Sequence, residues 1–212
     1  MSVRYLPQDD IEAETIEVLK RHSRYSTYPV DIEMMIESDM GIVITPVLDL
    51  MEKFGIDGFT LGDTSEIIID HDIYMDMENR ARFTLAHEVG HIRMHLDHLR
   101  DAASFHAPNA VEQWVEFYTS MDTEDHYRYE QQGYIFGGLL LVPTVHLEPE
   151  FERGLPHIKR LVTAAKEKCL PREHYLERAV EALARKISPA FSVSAATMNK
   201  RLKNSGLIDR IP

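Results

Sequence analysis

Cysteine is almost missing from these 212 residues: Cys169 stands alone, so no disulfide can form within the chain. A reducing compartment suits such a protein best. Long apolar runs are missing too. The longest, Tyr134 to Pro143, is roughly half the length that spans a bilayer, so no membrane crossing is expected. The amino terminus, MSVRYLPQDDIEAE, has no apolar stretch and carries acids early, unlike a signal peptide. These features together predict a cytoplasmic protein. Positive charge is scarce, with 23 Lys and Arg against 35 Asp and Glu and a net charge of −12. That argues against a surface coated for general nucleic-acid binding and leaves room for a local basic patch. Gly and Pro number only 10 each, and no repeat, low-complexity tract or long linker is present. With 44% hydrophobic residues the chain can bury a sizeable core.

The patterning predicts an α+β fold. Residues 8–22 read as a first helix, and a short second one starts at Pro29 with Ile32, Met35 and Ile36 on one side. Gly41 to Val47 is β-branched between Gly and Pro, which favours a strand; Gly58 to Asp70 reads as two short strands joined by a Gly-Asp-Thr-Ser turn. From Met77 to Leu96 the apolar spacing becomes helical, with Phe83, Ala86, Val89, Gly90 and Met94 three or four residues apart. Residues 98–126 are irregular, with a helix at 110–121. Further helices are expected at 127–141, 153–168 and 172–187. Composition shifts once: from Arg185 to the end the chain carries a net charge of +5, leaving −17 on the remainder. We therefore expect a main domain over residues 1–187 and a small helical segment over 188–212.

The helix at 77–96 contains His87-Glu88-Val89-Gly90-His91, an H-E-x-x-H pattern. Four residues turn an α-helix by about 400°, so the two imidazoles lie about 40° apart and one turn along. Both can then reach one tetrahedral ion at about 2.0–2.1 Å. Glu88 is rotated about 100° from His87, beside such an ion rather than on it, where a carboxylate can take a proton from activated water. A metzincin would need Gly at 94 and His at 97; Met94 and Asp97 stand there, and that class is excluded. The third ligand is then a carboxylate from a later helix, with Glu112, Glu116, Glu124 and Glu130 as candidates. Glu130 is favoured because Gly133 and Gly137 follow at i+3 and i+7 and let its helix approach closely.

Three stretches resemble the ImmA/IrrE-type metallopeptidases, a gluzincin-like group of bacterial and phage regulators. R-F-T-L-A-H-E-x-G-H-x-x-x-H is matched from Arg82 to His95. E-x-x-A-[N/D]-x-F-A-A-x-L-L-M-P is matched at Glu130, Phe136, Leu140, Leu141 and Pro143, with Gly133, Gly137 and Gly138 replacing alanines, Tyr134 replacing Asn or Asp, and Val142 in the methionine's place. A looser tail motif keeps Phe191, Val193, Ser194, Arg201, Leu202, Gly206 and Leu207. The resemblance implies a zincin-like domain with His87, His91 and Glu130 as ligands of zinc (manganese being the alternative) and Glu88 as general base. It also implies an endopeptidase that cleaves a repressor-like transcriptional regulator of a mobile element or stress response. Two other readings are a non-catalytic regulator and one half of a toxin–antitoxin pair.

His95 and His98 continue the stripe from His91 and are expected along the cleft or at its rim. Tyr127, Tyr129, Tyr134, His106 and His126 are candidates for stabilising an oxyanion. Trp114 and Phe117 should cover a small core or groove edge, and Cys169 has no partner motif. Ser194 is a plausible cap for a last helix. Its Lys200, Arg201 and Lys203 face phosphates if 188–212 contacts DNA, and otherwise belong to a helix packed on the domain, which is the expected case.

Overall fold

The computed structural model describes residues 2–24, 26–101 and 110–212. Among the described residues, ten α-helices, one π-helical turn and a three-stranded sheet precede residue 188. The first helix, α1 (Gln8–Arg21), has Asp9 and Asp10 in its first turn and Lys20 and Arg21 in its last, the arrangement a helix dipole favours. Asp31 caps α2 (Ile32–Met34) by accepting from the Met34 amide, and a π-helical turn, Met35–Asp39, continues it.

Three strands follow: β1 (Val43–Val47), β2 (Gly58–Thr60) and β3 (Glu66–Asp70), in the spatial order β1-β3-β2. β1 runs parallel to β3, with Ile44 opposite Ile67, and β2 runs antiparallel to it, with Phe59 opposite Ile68. The middle strand is buried on both faces, which explains its unbroken Ile67-Ile68-Ile69 run. On one face Ile68 packs with Leu50, Phe59 and Trp114. Between β1 and β2 lies α3 (Leu50–Phe54), ended by Gly55 in the left-handed conformation at φ 71°. Five residues are too short to show a helical period in the sequence.

Asp70 ends β3 and caps α4 (His71–Asp76), accepting from the Asp72 and Ile73 amides while its other oxygen accepts from Met51. Next comes α5 (Glu78–Met94), in which every residue from Thr84 to His91 is buried. The expected one-sided pattern is thus a helix enclosed on all sides through its middle two turns. Small residues permit it: a Cβ added at Gly90 would lie 3.0 Å from the Cβ of Phe136. After α6 (Leu96–Asp101), α7 (Ala110–Ser120) and α8 (Thr123–Leu141) complete this part. α8 begins four residues before the expected 127, with Asp122 accepting from the Glu124 and Asp125 amides.

The compact units do not part at 187/188. One comprises residues 1–26 and 31–140, the other residues 27–30 and 141–212. The charge shift near Arg185 marks a change of surface, and packing runs through it. In the second unit α9 (Thr144–Glu167), α10 (Arg172–Ile187) and α11 (Ala195–Asn204) pack in series. α9 starts nine residues before the expected 153 and runs through Pro149 and Pro156. Proline removes a helical donor, yet the buried face of Leu147, Phe151, Ile158 and Val162 holds the helix through both. Tyr28 belongs here too, stacked on Phe191 and donating to the buried Glu150.

Ser194 caps α11 through the Thr197 amide. Arg201 is buried and does not turn outward, as a phosphate contact would require. Its guanidinium donates to the Val142 carbonyl at 3.1 Å and the Thr144 hydroxyl at 2.6 Å. Lys203 pairs with Glu177, Lys200 is exposed, and Cys169 is exposed. Among the described residues no helix is long and apolar enough to cross a membrane.

Candidate metal centre

Two helices supply the centre. His87, Glu88 and His91 come from the enclosed middle of α5, and Glu130 from the second turn of α8. The one-turn spacing brings the imidazoles edge to face, with ring centroids 4.4 Å apart. Nε2 of His91 lies 2.8 Å from Nε2 of His87, and Glu130 Oε2 lies 3.5 Å from that same His87 atom. α8 can come this near because Gly133 has no side chain. A Cβ there would lie 2.7 Å from His87 Cε1 and 3.0 Å from His91 Cε1. A Cβ at Gly137 would likewise lie 3.1 Å from the His87 amide nitrogen. The small-residue side of α8 is the side turned to the imidazoles.

Three of the four groups are held by a neighbour. Thr60, on β2, donates its hydroxyl to Glu88 Oε2 at 2.8 Å. Tyr118, on α7, hydrogen-bonds Glu130. The Tyr129 ring stacks on His91, centroids 3.8 Å apart and nearly parallel. His91 Nδ1 meets His95 Nδ1 at 2.9 Å. By contrast, His87 Nδ1 is buried and has no hydrogen-bond partner among the described residues. A cleft of about 470 Å³ opens over the centre, with Gly58, Phe83, Trp114, Tyr118, Tyr129 and Tyr134 in its walls.

Burial drives all four groups toward their uncharged forms. It holds the His87 imidazole down to about 3, with His95 adding to the effect, and takes His91 well below the ordinary range. It lifts Glu88 to about 8 against the Thr60 hydroxyl, and Glu130 to about 7 against Tyr118. Neutral imidazoles are the state in which histidine binds a metal. Two buried carboxyls a short distance apart lose their protons readily only beside a cation, whose charge inverts the local trend.

The residues fit a metal ion. Two histidines and a glutamate are a known zinc donor set, and donors about 2.0–2.1 Å from a tetrahedral ion lie about 3.3 Å from one another. The separations of 2.8 and 3.5 Å bracket that figure. The three ligand atoms all lie within 4.8 Å of one another. Residues 51–203 match the model of the peptidase M78 family, described as the IrrE N-terminal-like domain. The chain belongs to this family. No curated protein matches it. Membership of the M78 metallopeptidases accords with the α+β fold and with the resemblance read from the motifs. The matched span includes α5, α8 and most of α11, so it crosses the charge shift.

Of the carboxylates weighed as third ligand, only Glu130 joins the histidines. Glu112 and Glu116 are exposed, and exposed Glu124 pairs with Arg128. Among the oxyanion candidates, Tyr129 and Tyr134 line the cleft. Tyr127 is exposed, His126 packs on Tyr118, and His106 lies outside the described residues. Trp114 covers the small core against β3 and forms part of the cleft wall. His95 is not at the rim: it is buried behind His91, away from the cleft. Thr60, Tyr118 and Gln132 were not singled out from the sequence. Their partners lie 28, 12 and 37 positions away, where no local spacing relates them. Only His95 had a signal, the i+4 step from His91.

Proposed function

We propose that this M78-family protein is a zinc-dependent endopeptidase that hydrolyses one peptide bond in a repressor-like transcriptional regulator inside the cell. The observation that carries the reading is the convergence of His87 Nε2, His91 Nε2 and the Glu130 carboxylate, with Glu88 on the same cleft wall. His87, His91 and Glu130 would hold the zinc, which supplies a Lewis acid that polarises a peptide carbonyl and makes water acidic. Glu88 accepts the water's proton and passes it to the leaving amine. Thr60 holds the Glu88 carboxylate in place through its 2.8 Å hydrogen bond and favours the ionised form. Tyr129 and the surrounding apolar walls keep bulk water from the far side of the imidazoles, which strengthens each charge interaction inside.

Negative charge develops on the carbonyl oxygen and needs a donor. Tyr118 is engaged with Glu130 and Tyr129 is enclosed in the histidine stack. Tyr134 is 44% exposed with its ring 4.8 Å from that of His87, and we assign it this role. The repressor-like substrate rests on the family likeness alone.

The experiment incubates the purified protein with purified repressor-like regulators, with and without chelator, alongside Glu88→Gln. Chelator-sensitive fragments from the wild type are expected, with turnover about 10²- to 10⁴-fold lower in the variant and zinc content unchanged. A Glu88→Gln protein that retains full biological effect, with no fragments from either form, would leave a binding module in place of an enzyme.

A further inference from the structure

Behind the second histidine of the motif lies a chain of polar atoms that the hydrolytic reading does not use. Gln132 is buried on α8, and its side-chain nitrogen lies 2.8 Å from the Arg4 carbonyl oxygen. Its Oε1 lies 2.9 Å from His95 Nε2. His95 Nδ1 lies 2.9 Å from His91 Nδ1, and His91 Nε2 faces the centre.

The direction of each hydrogen bond follows from one end. A backbone carbonyl only accepts, so Gln132 must turn its NH2 to Arg4 and its oxygen to His95. The reverse orientation would set two oxygens against each other at 2.8 Å. An amide oxygen only accepts, so His95 must donate from Nε2. A neutral imidazole donates from one nitrogen, which leaves His95 Nδ1 as an acceptor. His91 then donates from Nδ1 and turns the Nε2 lone pair toward His87 and Glu130. Free imidazole side chains favour the opposite tautomer, with the proton on Nε2, which cannot ligate through that atom. The anchor is itself fixed: the Val3 amide donates to Asp125 at 2.9 Å, the Ser2 hydroxyl donates to the same oxygen, and Val3 is buried.

We propose that His95 is a positioning residue for the metal centre, and that with Gln132 it carries the polarity of the Arg4 carbonyl to His91, fixing the tautomer in which His91 can bind a metal. The proposal rests on the reading of His87, His91 and Glu130 as a metal site. It gives the amino-terminal segment, through its backbone alone, a part in setting that site, and it makes the i+4 step from His91 to His95 functional where spacing alone suggests only a continued stripe. The two motif histidines are also unequal: His91 is wired to the backbone, and His87 is not.

Two measurements test it. Zinc affinity is read by competition with a chromophoric chelator for the wild type, His95→Phe, His95→Asn and Gln132→Leu. Loss of the acceptor in His95→Phe should weaken zinc by about 10- to 100-fold. His95→Asn, whose amide oxygen can still accept from His91, should recover most of that loss, and Gln132→Leu should fall between. Independently, imidazole 15N shifts in the metal-free wild type should show His91 protonated at Nδ1 and His95 at Nε2. Tight zinc binding by His95→Phe equal to the wild type, or His91 protonated at Nε2, overturns the proposal while leaving the metal site intact. A wild type that binds no zinc overturns the metal-site reading on which it stands. The 15N measurement decides the case if His95→Phe does not fold.

Discussion

Replacing Tyr134 with Asn should tighten zinc binding while slowing turnover. His87 approaches the centre through Nε2, the atom 3.5 Å from Glu130, so a neutral ligand imidazole must carry its proton on Nδ1. That nitrogen is buried and has no hydrogen-bond partner among the described residues. A buried donor left unsatisfied costs about 1–3 kcal/mol, and supplying its partner is expected to return about 10- to 100-fold in metal affinity. Residues 133 and 134 of α8 lie beside the His87 ring. A methyl at Gly133 would be 2.9 Å from His87 Nδ1, and the Tyr134 ring is 4.8 Å from the His87 ring. A short amide at 134 can bring an oxygen to Nδ1, where the tyrosine instead stacks on Phe83. The family pattern has Asn or Asp at this position, which agrees with such a role. Chelator competition gives Kd for the wild type, Tyr134→Asn and Tyr134→Phe. We expect Tyr134→Asn to bind about tenfold more tightly and Tyr134→Phe to match the wild type, with both losing turnover because the hydroxyl is gone. Zinc binding by Tyr134→Asn no tighter than by Tyr134→Phe would refute the reasoning, since the orphaned nitrogen would then not limit affinity.

The remaining predictions concern the frame around the centre. Gly58→Ala places a Cβ 2.7 Å from the Ile68 carbonyl oxygen and 2.9 Å from a Thr84 methyl. With backbone on one side and α5 on the other, urea unfolding should show a loss of about 1–3 kcal/mol. At Asp70, burial alone would push the carboxyl up, but the Met51, Ile73 and Asp72 amides outweigh it and hold it below the ordinary aspartate range. A depressed folded pKa contributes stability that is complete above the unfolded value of about 3.9 and disappears as pH falls through the folded one. The difference in melting temperature between wild type and Asp70→Asn should therefore be constant near neutrality and close below about pH 4; a gap unchanged at pH 3 would contradict this. Arg201→Met leaves the Val142 carbonyl and Thr144 hydroxyl without their donor. It should destabilise the second unit by about 1–3 kcal/mol, seen as faster amide exchange in α9 and α11.

The relation of His87, Glu88 and His91 to one another was legible in the sequence because a single helix sets it. Its 3.6-residue period places i and i+4 together whatever surrounds them, and the same period flagged His95. The β-branched run 66–70, the Asp-containing turn before it and the Ser194 cap were legible for the same local reason. Glu130 was favoured over three other glutamates by the small residues that follow it, and α8 does approach α5 closely at Gly133, where a Cβ would lie 2.7 Å from His87 Cε1. Tertiary structure decided what crosses between elements. Thr60 on Glu88, Tyr118 on Glu130, and the path from Arg4 through Gln132 and His95 each depend on how two segments pack, and no spacing along the chain encodes that. Arg201 makes the same point from the other side. Its charge suggested a surface, and its burial against the Val142 carbonyl follows from hydrogen bonds that only the folded chain can offer.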